Sequence, residues 1–375
     1  METLKYFPEG IAMGEAFLNR TEERTYLISR IKANKHSVLI APRRYGKTSL
    51  VMKVAEEMKL PYCAIDLLAA YSTEYVRDQI ADKVSRLVFQ LLPKANKAKE
   101  SLITIFKKMK PEISLGAFGQ HIKFNLSNSP LQDISELLLN LDETAKQFNK
   151  KAVIFMDEFQ QISQLKNNNS IEASIRHAVE RSENVAYVFS GSHRQLLTQM
   201  FGHQGRPLYQ LCQTIGLERM SKEVYKTNLM KLSKQRWKNS LNEDSVDQIF
   251  ECTELHPFYT NVLCQLLWEQ FQPPSPDSIK TIWHDYVKTQ RHVIANDVLE
   301  LSINQRKILS ALAKSPASAL QSTEFGAPLK LSASSIQLAV EVLIRKDMVL
   351  KGDDHIYRVL DPAIRYYLNV ILWED

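Results

Sequence analysis

The sequence predicts an α/β chain: a parallel sheet with helices on both faces, followed by a helical lid and a C-terminal winged helix. Short apolar runs typical of buried parallel strands alternate with helical periodicity over residues 1–218. Helical patterns with few glycines fill 219–295, and short helices followed by a hairpin pattern fill 296–375. We therefore expect three domains with these boundaries.

A phosphate-binding loop follows the first apolar run. Residues 41–48 match the pattern G-x-x-x-x-G-K-[ST], except that Ala41 stands at the first glycine. Backbone N–H groups around Gly46 and at the start of the next helix attract phosphate oxygens. In such a loop Lys47 reaches the outer phosphates, and the Thr48 hydroxyl binds magnesium. The residues predicted to bind the nucleotide here are Pro42, Arg43, Arg44, Tyr45, Gly46, Lys47, Thr48 and Ser49.

A pair of carboxylates ends a second buried strand. Residues 152–156 are apolar, which is typical of a strand buried on both faces, and Asp157 and Glu158 follow them. An aspartate at this position holds magnesium, and the adjacent glutamate polarises the attacking water. An ordinary solvated strand end is the alternative interpretation of the pair taken alone.

The order of the strands along the chain carries further information. Another strand candidate, Tyr62–Asp66, lies between the loop and the carboxylate pair, so the carboxylate strand is not the next strand along the chain after the loop strand. This order resembles the additional-strand division of P-loop ATPases. A later strand at 185–189 runs into Ser190-Gly191-Ser192, and Ser192 resembles the sensor 1 residue of AAA+ ATPases. A plain Ser-Gly-Ser turn is the alternative.

These motifs together resemble the archaeal-type ATPase family, a branch close to the AAA+ and STAND NTPases and related to the origin-recognition ATPases. The resemblance covers nearly the whole chain and implies ATP and Mg²⁺ as cofactors. It places Arg20 on the adenine side and Pro257 at the start of a lid helix near the nucleotide. The matching segments are F-x-x-R-x-x-E at 17–23, the double-arginine loop at 41–48, D-E-[FIW]-Q at 157–160, G-S at 191–192, G-x-P at 255–257 and D-P-x-[FI]-R at 361–365.

The chain departs from the family pattern at three places. Ala41 and Leu255 each stand where the family has a glycine. The usual Leu-Tyr-Gly-Arg segment reads Leu-Tyr-Gln-Leu at 208–211, so the expected arginine is missing. Arg206 or Arg194 could replace it as the charge-stabilising finger, a group worth about 10³–10⁵ in rate. We predict Arg206 as the catalytic candidate, and the departure puts fast hydrolysis in doubt but not nucleotide binding.

Composition predicts a soluble cytoplasmic protein. The 375 residues are 44% hydrophobic, enough for several cores, yet no apolar run approaches the roughly 20 residues that span a bilayer. The N-terminus lacks the core of a signal peptide. The 4 cysteines are isolated, which suits a reducing compartment and argues against a disulfide or zinc site.

The winged-helix region leaves the partner open. Its expected recognition helix, 332–344, contains no Lys or Arg, and Arg345 follows it. Residues 301–375 carry nine Lys or Arg and eight Asp or Glu, a weak footprint for duplex DNA. A protein contact, an autoinhibitory role and simple packing on the core are the alternatives.

Two functions from different classes follow from the sequence. The first is an ATPase that uses Lys47, Glu158, Ser192 and Arg206 for catalysis and Thr48 with Asp157 for Mg²⁺, and whose cycle moves the lid and winged helix. The second is a nucleotide-gated switch or scaffold with little hydrolysis. A DNA-binding ATPase acting through the winged helix is a third possibility, and the oligomeric state stays open.

Overall fold

The computed structural model describes residues 6–18, 20–93, 97–116, 119–352 and 354–374. Asn19 of the F-x-x-R-x-x-E segment and Asp353 of the predicted wing turn lie outside these residues. The chain forms two compact units. The sheet unit comprises Arg20–Arg43 and Lys47–Leu217; the C-terminal unit comprises the residues before Arg20, the loop tip Arg44–Gly46 and Glu218–Asp375.

A parallel sheet forms the centre of the sheet unit. Its strands follow the order β2-β5-β6-β1-β7, and β6 lies between the loop strand β1 and the carboxylate strand β5. An additional strand thus separates the loop strand from the carboxylate strand in the sheet. The strands β3 and β4 pair antiparallel and form a separate two-stranded sheet. The strands of this unit are β1 (Ser37–Ile40), β2 (Tyr62–Asp66), β3 (Glu112–Gly116), β4 (Gly119–Lys123), β5 (Ala152–Asp157), β6 (Val185–Gly191) and β7 (Gln213–Gly216).

Helices cover the sheet because each carries an apolar stripe. The stripe of α3 includes Val84 and Val88, that of α5 includes Leu137 and Leu141, and these side chains share one core with Ile154 of β5. Burial against the sheet thus fixes which face of each helix is apolar. The helices of this unit are α1 (Thr21–Lys32), α2 (Lys47–Met58), α3 (Thr73–Leu91), α4 (Lys97–Ile105), α5 (Pro130–Gln147), α6 (Asn168–Val179) and α7 (Arg194–Gly202).

The C-terminal unit begins with helices that match the predicted lid. Pro257 and Pro276 stand at the first positions of two of them, where a missing N–H costs no hydrogen bond. Pro276 therefore belongs to the helix, and the loop before it ends at Ser275. The helices are α8 (Lys222–Trp237), α9 (Glu243–Thr253), α10 (Pro257–Trp268), α11 (Pro276–Thr289) and α12 (Arg291–Leu299).

The winged helix follows with the predicted elements. Serines at 302, 322 and 332 cap its helices, and Ile308, Leu309 and Leu312 of the first helix are buried as expected. The two strands pair antiparallel as the wing. The elements are α13 (Ile303–Lys314), α14 (Thr323–Leu329), α15 (Ala333–Arg345), β8 (Val349–Lys351), β9 (Tyr357–Val359) and α16 (Pro362–Asn369).

The chain passes from the sheet unit to the C-terminal unit between Leu217 and Glu218. The lid and winged helix share one apolar cluster, and α12 runs across the predicted boundary at 295. The N-terminal residues, expected with the sheet, belong to the C-terminal unit. There the buried ring of Phe7 packs edge-on against Trp268 at 4.8 Å, and Asn261 donates to the Pro8 carbonyl at 3.0 Å. The division into three domains stays a prediction.

No single helix among the described residues has the length and apolar composition needed to cross a membrane. The helices α14 and α15, which meet at 86°, reach that length and composition only when they are taken together.

Candidate functional site

Lys47 begins α2 directly after the phosphate-binding loop. Its buried ammonium donates to the carbonyl oxygens of Ala41 and Pro42 at 3.0 and 2.9 Å. These bonds close the first half of the loop onto the start of the helix. The helix dipole is positive at this end, which disfavours a cation there, whereas a phosphate group would be attracted by both the ammonium and the dipole. The arrangement therefore fits an anionic ligand.

Asp157 ends β5 and accepts hydrogen bonds on both carboxylate oxygens. Thr48 Oγ1 donates to Oδ2 at 2.9 Å, the Ser190 hydroxyl donates to Oδ1, and the Glu158 N–H also donates to Oδ1 at 3.0 Å. The parallel sheet produces this meeting because β6 carries Ser190 to the same edge as the end of β5. The predicted magnesium residues, Thr48 and Asp157, are thus side by side.

The donor set fits magnesium. Thr48 and Asp157 offer a hydroxyl and a carboxylate, and Mg²⁺ prefers oxygen ligands, most of which phosphates and water supply in nucleotide sites. Such an ion needs no large protein cage. This agrees with the finding that, across the described part of the chain, no group of three or more His, Cys, Asp or Glu could hold a metal.

Glu158 lies beside the predicted sensor serine. Its backbone adopts φ 50°, a left-handed conformation that is uncommon outside glycine, and the residue caps a short 3₁₀ helix, Phe159–Gln164. Its Oε2 accepts from Ser192 Oγ at 2.9 Å and from Gln160 Nε2 at 2.5 Å. Arg43 Nε reaches the same serine oxygen at 3.4 Å. Strained backbone of this kind is frequent where a side chain must be aimed.

The tip of the loop, Arg44–Gly46, is held by residues of the C-terminal unit. The Arg44 guanidinium lies 4.1 Å from the centre of the Phe258 ring, a cation–π geometry. The buried Tyr45 ring packs edge-on against His256 at 4.9 Å. The tip therefore contacts the start of α10, where His256 is the N-cap and Pro257 the first helical residue.

His256 is uncharged in this setting. Burial, and to a smaller extent the neighbouring cations Arg219 and Arg44, together lower its pKa to about 3. A neutral imidazole lets the ring pack against Tyr45 and Tyr259 without the cost of a buried charge.

An ion cluster continues from Tyr45 into the winged helix. Arg219 Nε donates to the Tyr45 hydroxyl at 3.4 Å, and its Nη1 donates to Glu254 Oε2 at 2.6 Å. Arg365 Nη1 donates to the other oxygen of Glu254 at 2.7 Å. Arg219 also donates to the Leu360 carbonyl at 2.8 Å. Sequence reasoning missed this cluster, because its members come from three distant segments and no local pattern joins them.

Leu255 shows why the family has a glycine at this position. Glu254 and Leu255 adopt φ 50° and 60°, so two successive residues lie in the left-handed region that glycine enters without strain. The ion pairs from Glu254 to Arg219 and Arg365 offset this strain.

Three further residues, Arg20, Ser49 and Pro257, are also predicted to contact the nucleotide. Arg20 is buried just before α1 at φ 55°, and its Nη1 donates to Glu23 at 2.9 Å. Ser49 is buried within the first turn of α2. The positions of Arg20, Ser49 and Pro257 toward a nucleotide stay predictions.

Arg206, the predicted charge-stabilising finger, forms an ion pair within the sheet unit. Its guanidinium pairs with Glu172 of α6, a fully buried carboxylate. Burial raises the pKa of Glu172, while the arginine opposes that change. The structure thus gives Arg206 the task of compensating a buried charge, and its role as a finger stays a prediction. Sequence reasoning gave Gln160 no role of its own, although this residue ends the D-E-F-Q segment at 157–160.

The strand order and the phosphate-binding loop define the fold of a P-loop ATPase. Residues 17–260 match the family of ATPase domains found predominantly in Archaea, and residues 295–370 match a probable winged helix domain. Because the first match covers more than half of the chain, the chain belongs to this ATPase family, as the sequence predicts. Comparison with curated proteins gave no match.

Solved structures share the fold over nearly the full length. The Walker-type ATPase of Pyrococcus abyssi is 17% identical, with a TM-score of 0.69, over 95% of this chain and 97% of that one. The ORC2 protein of Aeropyrum pernix, determined in ADPNP–ADP complexes, is 13% identical, with a TM-score of 0.53, over 95% of this chain and 94% of that one. At these identities the likeness establishes the architecture.

Proposed function

We propose that this chain binds Mg-ATP at its phosphate-binding loop and hydrolyses it, as an AAA+/STAND-type ATPase whose nucleotide state gates the C-terminal unit. One observation carries the proposal: Thr48 meets Asp157, and Ser192 meets Glu158, at the same edge of the sheet where Lys47 closes the loop. Membership of an ATPase family supports the nucleotide, and the related fold of ORC2 was determined with ADPNP and ADP.

The proposed roles divide between binding and chemistry. Residues 41–48 act as a Walker A loop and residues 152–158 as a Walker B segment. Thr48 and Asp157 hold Mg²⁺, which when bound neutralises phosphate charge. The remaining binding residues are Pro42, Arg43, Arg44, Tyr45, Gly46, Ser49, Arg20 and Pro257.

Hydrolysis is an in-line displacement at the γ-phosphorus. The water oxygen forms a bond to phosphorus while the bond from phosphorus to the β,γ-bridging oxygen breaks, and ADP leaves with that electron pair. Glu158 accepts the water proton and later passes it to solvent. Lys47 stabilises the charge that develops on the phosphate oxygens. Ser192 holds the glutamate through its hydroxyl.

The proposed gating of the C-terminal unit by nucleotide rests on the contacts of the loop tip. Within the C-terminal unit, Tyr45 is linked through Arg219 to Glu254 and onward to Arg365 and the Leu360 carbonyl. A nucleotide seated on the loop would act on a backbone already tied to lid and winged-helix residues. We therefore propose that binding and hydrolysis shift the packing of this unit.

We propose that the winged helix contacts a protein partner rather than duplex DNA. The helix α15 has its basic residue, Arg345, only in its last turn, so it offers few donors for phosphates. A DNA-binding ATPase is the further candidate that a winged helix allows. We also propose a cytoplasmic location, which the free cysteines at 63, 212, 252 and 264 support.

A nucleotide-gated switch with little hydrolysis is the alternative. The family arginine before the fifth strand of the sheet is absent, and Arg206 is engaged by Glu172. Without a finger, the rate is expected to be lower by about 10³–10⁵. Measured turnover decides between the two.

Binding is tested by isothermal titration calorimetry with Mg-ATP. The native protein is expected to give heat, and Lys47→Ala to give none, because the variant loses the charge that meets the outer phosphates. Lys53→Ala, in the same helix and paired only at its surface with Glu56, is the matched control and should bind as the native protein does. Equal heat from native protein and Lys47→Ala would overturn the site.

Turnover is tested by steady-state phosphate release. Glu158→Gln is expected to slow release by about 10²–10⁴-fold, the usual contribution of a general base, with Mg-ATP still bound in calorimetry. Native and variant rates that coincide at background would leave the switch as the function.

A further inference from the structure

We propose that Gln160 is a positioning residue that fixes the carboxylate of Glu158 for hydrolysis, and that Gly191 is a glycine because it makes room for this amide. The inference deepens the proposed function, since it concerns the glutamate on which that function depends. It assigns a role to a residue that does not touch the nucleotide or the attacking water.

The hydrogen bonds to Glu158 converge on one of its oxygens. Gln160 Nε2 and Ser192 Oγ both donate to Oε2, at 2.5 and 2.9 Å. Two donors from different elements, the 3₁₀ helix after β5 and the end of β6, fix the torsions of the side chain. The carboxylate then presents its other oxygen, Oε1, for the water proton. Positioning of this kind contributes to rate because small displacements of a catalytic group are costly.

Gly191 sets the position of the amide. A Cβ added at Gly191 would lie 1.7 Å from Gln160 Oε1 and 2.8 Å from its Cδ. The φ of Gly191 is outside the left-handed region, so its backbone suits any residue. The glycine is therefore required by space, and the space is occupied by Gln160.

Packing alone does not explain a glutamine here. The side chain of Gln160 is 2% exposed, and its Oε1 has no hydrogen-bond partner among the described residues. Burying an unsatisfied carbonyl oxygen is unfavourable, and methionine would fill the same volume without that cost. The donation to Glu158 is the interaction that a hydrophobic residue could not supply.

The test combines two single variants, a double variant and a control. Gln160→Met removes the donor at nearly constant volume, and Gly191→Ala displaces the amide without changing it. Each is expected to lower kcat for phosphate release by roughly 10–100-fold while the Kd for Mg-ATP stays within about 2-fold. Gln160→Met combined with Gly191→Ala should be no slower than either single change, since both act through one hydrogen bond. Gln161→Met, at the neighbouring position, should keep the native rate.

Several outcomes would overturn the inference. One is a kcat for phosphate release that is unchanged or raised in Gln160→Met. Another is a double variant whose fold-loss of kcat equals the product of the losses in the two single variants. A crystal structure of Gly191→Ala gives a readout independent of turnover. The Glu158 carboxylate is expected to leave its place beside Ser192, and an unmoved carboxylate contradicts the inference even if the native protein proves to be a slow switch. If the native protein did not bind Mg-ATP at all, that result would instead count against the proposed function.

Discussion

The two parts of the phosphate-binding loop make different demands on the backbone. The flank, residues 41–43, keeps φ angles outside the left-handed region, and its carbonyls accept from Lys47. The tip has φ 64° at Arg44 and 84° at Gly46. A side chain in that region costs about 1–2 kcal/mol, which Gly46 avoids. The loop therefore needs its glycine at 46 and tolerates alanine at 41.

The flank and the tip of the loop also differ in the residues that surround them. The flank is stabilised by hydrogen bonds within the sheet unit, whereas the tip is stabilised by aromatic packing in the C-terminal unit, through Phe258 and His256. A departure from the family pattern at the flank thus leaves the tip unaffected. Three measurements test this difference between the flank and the tip.

The largest effect is expected for Gly46→Ala. The added Cβ meets no described atom within 4 Å, so the change acts through the backbone at φ 84°. Strain of about 1–2 kcal/mol corresponds to Mg-ATP binding weakened by roughly 5–30-fold, if the loop must keep this conformation to bind. Calorimetry measures it. Gly216→Ala, another glycine with open space but an ordinary φ, is the control, and a loss as large there would refute the argument from φ.

An intermediate effect is expected from acid through His256. Its pKa is about 3 in the folded protein and about 6.5 in the unfolded chain, so the unfolded state binds more protons between these values. The free energy of unfolding is therefore highest above pH 6.5 and falls as the pH drops toward 3. For this one histidine the loss is about 1 kcal/mol between pH 6.5 and 5.5.

Tryptophan fluorescence in urea isolates this effect. The 4 tryptophans, Trp237, Trp268, Trp283 and Trp373, all belong to the C-terminal unit, whereas His36, whose pKa burial lowers to about 4, belongs to the sheet unit. His256→Phe keeps a ring beside Tyr45 and should flatten the acid dependence. An acid limb of the same steepness in this variant would show that the tip is not held by a neutral histidine.

Local patterns explain how much of the fold could be predicted. The strands β2 and β6 are short apolar runs, a pattern that sequence alone identifies. Ser302, Ser322 and Ser332 are the N-caps of three helices, and serine is a typical residue at a helix start. The meeting of Thr48 with Asp157 was also predictable, because parallel strands bring their carboxyl ends to one edge.

Long-range partners explain what could not be predicted. Glu172 lies in an amphipathic helix, and nothing in its neighbours tells that it is fully buried and needs Arg206. In the Arg219–Glu254–Arg365 cluster, Glu254 lies 35 residues after Arg219 and 111 residues before Arg365. Phe7 gives no local sign that its ring packs on Trp268. Such pairs depend on tertiary packing, which periodicity does not report.

The smallest effect is expected for Ala41→Gly, which restores the family residue. Ala41 is fully buried at an ordinary φ, so glycine gives the unfolded chain more freedom and also removes one buried methyl group. The sheet unit should lose about 0.4–1 kcal/mol of stability in scanning calorimetry, while the Kd for Mg-ATP stays within about 2-fold of native. Binding that became tighter would mean that alanine at 41 had restricted the phosphate site. The flank would then share the tip's need for glycine, and the missing family residue, rather than the missing arginine, would be the first cause to examine for slow turnover.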